Sequence, residues 1–594
     1  MEQNKLDSSQ IIGFLFLIAA FISLLMFQPQ VEEPVKNYET ETNSESVDAE
    51  PLGFVNSSSS YNLNQIMQNE LITIENDDVI YTFSTLGAQI SKTTLKKYND
   101  LEGKPQEIVN ENQNFYFDTN SSNNFDTSQI FFNYEITESD SGKEIKFSNS
   151  LESGESIFFN YFIPNQGYLT KLYVYSSGYN RLLNRNSTIY LNWNLESFKN
   201  SKSQDYENRY TYLNYQDEDN KIRDLSAYSD DDDIDSAKWI SYSQHFFTSI
   251  LIFDDFKNDV EFKSKNLDSD RNQRKFLKKF NSKIPIDFNT RGEIDQKIEW
   301  YVGPKDYYII KNYDYEIDDS IYFGWGIFGW INKSIFFPLY KFLGNHFSAG
   351  IAIILMVILT RLVMSPVQYK MYLSQAKMKI LKPEITAATE KFKNDPMKRQ
   401  QETMKIYSQA GASPVQGCLP ALLQIPVFYA LFCFFPVAFA LRGESFLWAD
   451  DLSTYDVVAD LPFYIPLYGD HISLFPILAG VTMFFYTRMQ GTQQMQPTQP
   501  GMPNMKIIMY IIPFSLLIFF NNFASGLSLY YTISNILTII IMLFIKNIIL
   551  DEKKILIEIE ENKKKPVKEG RFQRRLRKLQ EAAEKAQQQQ NRKK

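Results

Sequence analysis

Arg361 lies inside an otherwise apolar run, Phe347–Val367 (FSAGIAIILMVILTRLVMSPV). A run of that kind is long enough to cross a bilayer, which takes about 20 apolar residues. A charge well inside such a helix costs from about 2.5 to over 10 kcal/mol. It persists where the guanidinium faces a polar cavity or a partner, or where it sits near the helix end and snorkels to the headgroups. Val367 is six residues further on, about 9 Å along a helix. This segment by itself therefore leaves both readings open.

Four more apolar runs follow, Leu419–Ala440, His471–Met489, Met505–Phe523 and Gly526–Ile549, and one precedes, Ile11–Phe27. Ile11–Phe27 reads as a signal peptide or an anchor. One Lys precedes it and no clear small-x-small site follows, which favours the anchor. Six spans place both termini on one side of the membrane. Charge chooses the side. Gln28–His346 holds 31 basic and 50 acidic residues, Gln368–Gln416 holds 9 and 4, and Asp551–Lys594 holds 15 and 8. The positive-inside rule puts the two basic segments in the cytoplasm. The long acidic segment then falls on the far side. The only cysteines are Cys418 and Cys433, in or beside the apolar runs. The acidic segment must therefore hold together by an ordinary core rather than by disulfides.

These features divide the chain. Residues 1–27 form the membrane anchor. Residues 28–70 form a flexible tether, and Gln30–Asn64 is rich in Glu, Ser, Thr and Asn. Residues 71–320 form a β-rich domain in which SIFFNYFIP and YLTKLYVYSS are aromatic and β-branched runs between turn residues. Gly87 marks a turn, and the repeated spacing predicts a sandwich. The acidic run Asp230–Asp233 lacks the spacing of a calcium loop and is expected to be a solvated loop. Residues 321–346 read as an amphipathic helix on the membrane surface, with Trp325 and Trp330 at headgroup depth, or as an ordinary amphipathic core helix. Residues 347–367 form the second span. Residues 368–416 form a basic helical hairpin broken at Asn394-Asp395-Pro396. It meets anionic lipid or RNA, or is a solvated loop obeying the charge rule. Residues 417–549 form the third to sixth spans, and Gly491–Pro503 is a polar loop between two of them. Residues 550–594 form a basic tail.

No catalytic constellation is visible. His245, His346 and His471 are too scattered for a metal site, and there is no phosphate loop of the GxxxxGK[ST] kind. No GxSxG, HExxH or Ser/Lys motif is placed for a membrane hydrolase. The chain reads as a non-enzyme without a cofactor.

Five segments do occur in a known order: ILTRLVMSPVQYKMYLSQAKMKILKPEI, SPVQGCLPALLQIPVFYALF, FLWADDLS, FPILAGVTMFF and SGLSLYYTISNILTI. Together they resemble the YidC/Oxa1/Alb3 membrane protein insertases. Upstream, KWISYSQHFFTSI and WYVGPKDYYII resemble the bacterial form with a large periplasmic domain. The resemblance implies a polytopic α-helical membrane protein of six transmembrane helices. Five of them form an insertase core beside a large β-sandwich-like periplasmic domain, in the bacterial inner membrane. It implies a groove open to cytoplasm and lipid and closed to the far side, with a positive charge that falls on Arg361 in the R-x-x-x-x-P element ending at Pro366. Gly417, Pro420, Pro426 and Gly526 fall on its structural motif positions. Tyr531, Phe428 and Phe519 match positions of client contact, or plain packing. Gln424 and Thr532 are polar residues of the same spans, which either line the groove or join helices.

The resemblance further implies client membrane proteins as partners, a Sec-type translocon beside the insertase, and membrane lipids. The tail binds the ribosome or anchors to anionic lipid. Two departures stand out: Ala524 replaces a frequent proline before Ser525-Gly526, and Val357 replaces a frequent threonine one turn before Arg361. Two other classes compete. A secondary transporter with a midplane polar site expects inverted repeats and broken spans, which are not evident. A membrane-anchored sugar-binding protein leaves Arg361 unexplained.

Overall fold

A computed structural model describes residues 68–119, 125–151, 154–178, 188–225, 230–267, 275–392, 395–412, 414–466, 468–491 and 505–564. Ile11–Phe27, Gln30–Asn64, residues 492–504 and the tail beyond Lys564 lie outside them.

Strand after strand runs from Leu71 to Pro304. Four antiparallel strands between Leu71 and Asn110 make a first sheet in chain order. Gly87 (φ +80) sits between two of them, in the left-handed region that glycine enters without steric cost. Twelve further strands form a larger sheet that doubles over itself. The fold-over is one 20-residue strand, Phe247–Asn266. Its first half pairs with Asp295–Pro304 and its second half with Phe276–Ile286. Alternating side chains enter the space between the layers, as in Ser156–Pro164, where every second residue is buried. There Trp300 lies 4.8 Å from Phe115 and 6.1 Å from Trp193, ring to ring. Burial of these rings is the main force holding the layers.

The acidic run departs from expectation. Asp230–Asp233 begins the strand Asp230–Ser243 and is not a loop. It pairs backbone to backbone with Glu261–Ser264, and Asp231 stands opposite Lys263. The ladder supplies partners for the main chain.

Helices follow. Within the β domain, α1 spans Gln204–Arg209. After Pro304 the chain makes one helix from Ile327 to Gly344 in three pieces, with a π turn at Asn332–Phe336 and α2 over Phe337–Gly344. One face packs inward, where buried Asn332 donates Nδ2–H to the carbonyls of Phe323 and Ala430. The other exposes Trp325, Ile327, Trp330 and Phe342. Then come α3 (Ala349–Ile380), α4 (Lys382–Lys391), α5 (Pro396–Gln409), α6 (Pro414–Val437), α7 (Leu474–Gly491), α8 (Met505–Phe520), α9 (Ser525–Phe544, extended by a π turn to Ile549) and α10 (Glu552–Lys564). Among the described residues, Ala349–Ile380 and Ser525–Ile549 are long and apolar enough to cross a membrane.

α3 runs unbroken through Pro366 and 13 residues past Val367. Proline removes one backbone donor and orphans the carbonyl four residues earlier, here that of Leu362. The Ser365 hydroxyl donates to that carbonyl at 2.8 Å, so the helix continues.

Candidate functional site

Three helices converge on Arg361. It is 8% exposed, one of the few charged groups buried in this part of the fold. Its Nε–H donates to Ser534 Oγ of α9 at 2.8 Å, and Nη2 donates to the same oxygen. Nη1 donates to Gln424 Oε1 of α6 at 3.1 Å. Both acceptors are neutral. Among the described residues no carboxylate pairs with Arg361. A guanidinium has five N–H donors, so the charge is held in place without being neutralised.

Aromatic side chains lie one turn away on α6 and α9. Phe428 and Tyr531 stand 5.0 Å apart, and the Tyr531 hydroxyl donates to the Phe428 carbonyl at 3.3 Å. Phe520 stacks on Tyr531 at 5.5 Å, and Phe519 lies 4.6 Å from Phe523. These rings close the end that faces the β domain, because Phe523 meets Tyr206 of α1 at 5.5 Å.

The opposite end is polar. Gln368, Tyr372 and Gln375 follow Arg361 at helical spacing on α3 and are all buried. Neither amide atom of Gln375 has a hydrogen-bond partner among the described residues, nor has Gln368 Oε1. Buried polar atoms of this kind favour contact with water or another polar chain. Across from them, Gln490 donates to the Tyr486 hydroxyl on α7.

The expected residues separate into groups. Arg361 and Gln424 touch, and Phe428, Phe519 and Tyr531 form the aromatic end. Thr532 turns away, donating to the Ser528 carbonyl at 2.8 Å and lying 3.4 Å from that of Phe475 on α7. Thr360 likewise donates to the Met356 carbonyl at 2.7 Å, and Val357 is wholly buried. Pro366 lies on α3 just past the site. Pro426 is two residues beyond Gln424 on α6, and Gly417 and Pro420 fall in the same helix, with surroundings outside the described residues. Gly526 sits where α9 enters: its N–H donates to the Leu452 carbonyl at 2.9 Å, and Ala524 precedes it, buried. Ser534 as the partner of the charge, and the buried glutamines of α3 beyond it, are absent from the sequence expectations; for Gln368 and Gln375 the helical spacing from Arg361 is the signal that could have found them.

Two family models together match residues 71–553. The family described as 60Kd inner membrane protein matches residues 338–553, and the YidC periplasmic domain family matches residues 71–338. The membrane protein insertase YidC of Parabacteroides distasonis is 35% identical over 532 residues, covering 86% of this chain and 83% of that one. That of Phocaeicola vulgatus is 32% identical over 577 residues, covering 91% of each.

Proposed function

The chain belongs to the YidC family of membrane protein insertases, and on that premise we propose that it inserts and helps fold integral proteins of the inner membrane through the groove that Arg361 occupies. The observation that carries this reading is a buried guanidinium held by two neutral acceptors, with no carboxylate paired to it among the described residues. In a low-dielectric site such a charge attracts acidic or polar residues of an incoming segment far more strongly than it would in water. The buried glutamines of α3 give that segment polar contacts along the way. The aromatic end sets a limit on the far side. A hydrophobic helix then leaves the groove for lipid under its own apolar driving force, and no nucleotide is consumed.

In this reading the protein has six spans, five of them forming the core, with both termini in the cytoplasm and the β domain in the periplasm. A Sec-type translocon works beside it for larger clients, and the basic tail beyond α10 meets the ribosome.

The test is replacement of the protein, after depletion, by Arg361 variants. Arg361→Ala is expected to impair insertion of single-span clients with acidic tails, while Arg361→Lys keeps much of the activity. Normal insertion of such clients by Arg361→Ala would sink the role given to this charge.

A further inference from the structure

A cavity of about 410 Å³ opens where the polar face of α3 ends, with Tyr372 on its inner wall. Four elements build it. Lys379 comes from α3, Arg488 from the last turn of α7, Lys546 from the π turn after α9, and Glu552 from the start of α10. Lys379 and Glu552 pair at 3.0 Å and largely cancel. Arg488 and Lys546 make no ion pair or side-chain hydrogen bond among the described residues, and both are exposed. The cavity therefore has a net positive rim. Its floor is apolar, with Met542 and Ile555 buried beneath Phe485 and Leu550. Beside it Phe544 and Ile548 face outward at the end of the longest apolar stretch of α9.

Single cations at the ends of membrane helices are ordinary snorkelling residues, favoured also by the negative end of the helix dipole. Two unpaired cations from different helices, converging on one apolar-floored cavity, need a further account. A free anion would use the rim and leave the floor exposed. An acidic peptide would use the rim without needing the lipid-facing side chains next to it. An amphiphile with a phosphate head and a hydrocarbon tail uses all three. We propose that this cavity is a binding site for one anionic phospholipid, with its phosphate between Arg488 and Lys546 and the start of a chain over Met542 and Phe485. The lipid would join the ends of α7 and α9 to α10 and so hold the cytoplasmic side of the helices together. The proposal stands apart from the role given to Arg361.

The test uses the full chain purified in detergent and analysed by native mass spectrometry, with phosphatidylglycerol, phosphatidylcholine and inorganic phosphate as separate probes. The expected result is one phosphatidylglycerol retained in preference to phosphatidylcholine. The double variant Arg488→Gln with Lys546→Gln should bind it roughly 30-fold more weakly, as two interfacial cations would require. Met542→Trp, which fills the floor and keeps both cations, should also lower retention. Four results would overturn the site: unchanged binding in the double variant, unchanged binding in Met542→Trp, full displacement of the lipid by millimolar phosphate, or, with a Glu-rich peptide as a fourth probe, retention of that peptide with no preference for phosphatidylglycerol, which would favour a protein partner.

Discussion

The imidazole of His245, in the β domain, donates its Nε2–H to the carbonyl of Pro436 at the end of α6, 2.9 Å away. This bond ties the two halves of the molecule together, beside the contacts of Arg442 with the Asn99 carbonyl and Gln106. Burial, and then the positive charge of Lys305, hold the imidazole well below its usual range, down to about 3. The unfolded chain titrates near 6.5. Between those values the unfolded state binds a proton that the folded state refuses, so stability falls as pH drops from about 6.5 toward 3. Relative to a variant lacking this imidazole, wild type should therefore lose thermal stability between pH 7 and pH 5. His245→Gln, which retains a donor for Pro436, should lose less over the same interval. Equal losses in the two proteins would show that this histidine does not titrate across folding.

The bond between Arg361 and Ser534 gives a second expectation. Ser534→Ala removes the acceptor for two of the guanidinium nitrogens and leaves buried donors unpaired, at a cost of about 1–3 kcal/mol. The unfolding temperature should drop, and Ser534→Thr should restore most of it. In an Arg361→Ala background the same Ser534→Ala change should cost almost nothing. A double-mutant cycle reads that coupling directly, and additive losses would mean the two residues do not depend on each other.

α10 is packed as a brace on the hairpin of α4 and α5. Ile555 and Ile559 bury themselves against Leu381, Ile385 and Ile406, while Glu558 pairs with Lys377 at 2.8 Å and Lys563 with Glu384 at 2.6 Å. A chain ending after Leu550 should be cut by trypsin at Lys398 and Arg399 at least several times faster than one ending after Lys564. The apolar contacts carry most of this effect, since a largely exposed pair such as Lys563 with Glu384 is worth only about 0–1 kcal/mol. Ile555→Asp should therefore reproduce it, and Lys563→Gln should not. Digestion rates that match in the two truncations would exclude a brace.

Two glycines should differ in how they tolerate alanine. A Cβ on Gly350 would fall 2.1 Å from the ring of Phe446, whereas one on Gly526 would lie 3.0 Å from the Leu452 carbonyl oxygen. Overpacking of this kind costs about 1–3 kcal/mol. Gly350→Ala should lower the unfolding temperature more, and Gly350→Ala with Phe446→Leu should recover part of the loss. A larger effect at Gly526 would contradict the packing described.

Much of the β domain was legible because a strand half-buried in a core alternates its side chains, as Ser156–Pro164 does. The five apolar runs within the described residues were legible for a similar reason, and the helices α3 and α6–α9 cover them within a few residues. Asp230–Asp233 was misread because acidic composition says nothing about backbone pairing, which a neighbouring strand supplied. Arg361 announced itself by its cost. Its partner did not: Ser534 is 173 residues away in sequence, and one serine in a membrane helix looks like any other until packing brings it across. The apolar run ends at Val367, but α3 continues to Ile380 as one helix, because hydropathy marks where a span ends and not where backbone hydrogen bonding ends.

That repaired proline makes a lever. Arg361 and the hairpin ride on one stiff rod, with Arg361 19 residues from Ile380, about 29 Å at 1.5 Å per residue. A hinge at Pro366 would have let the hairpin swing while the charge stayed still. Without one, a tilt of about 5° about Arg361 moves the far end by roughly 2.5 Å over that length. The position of the hairpin is thereby coupled to the tilt of the helix that carries the guanidinium.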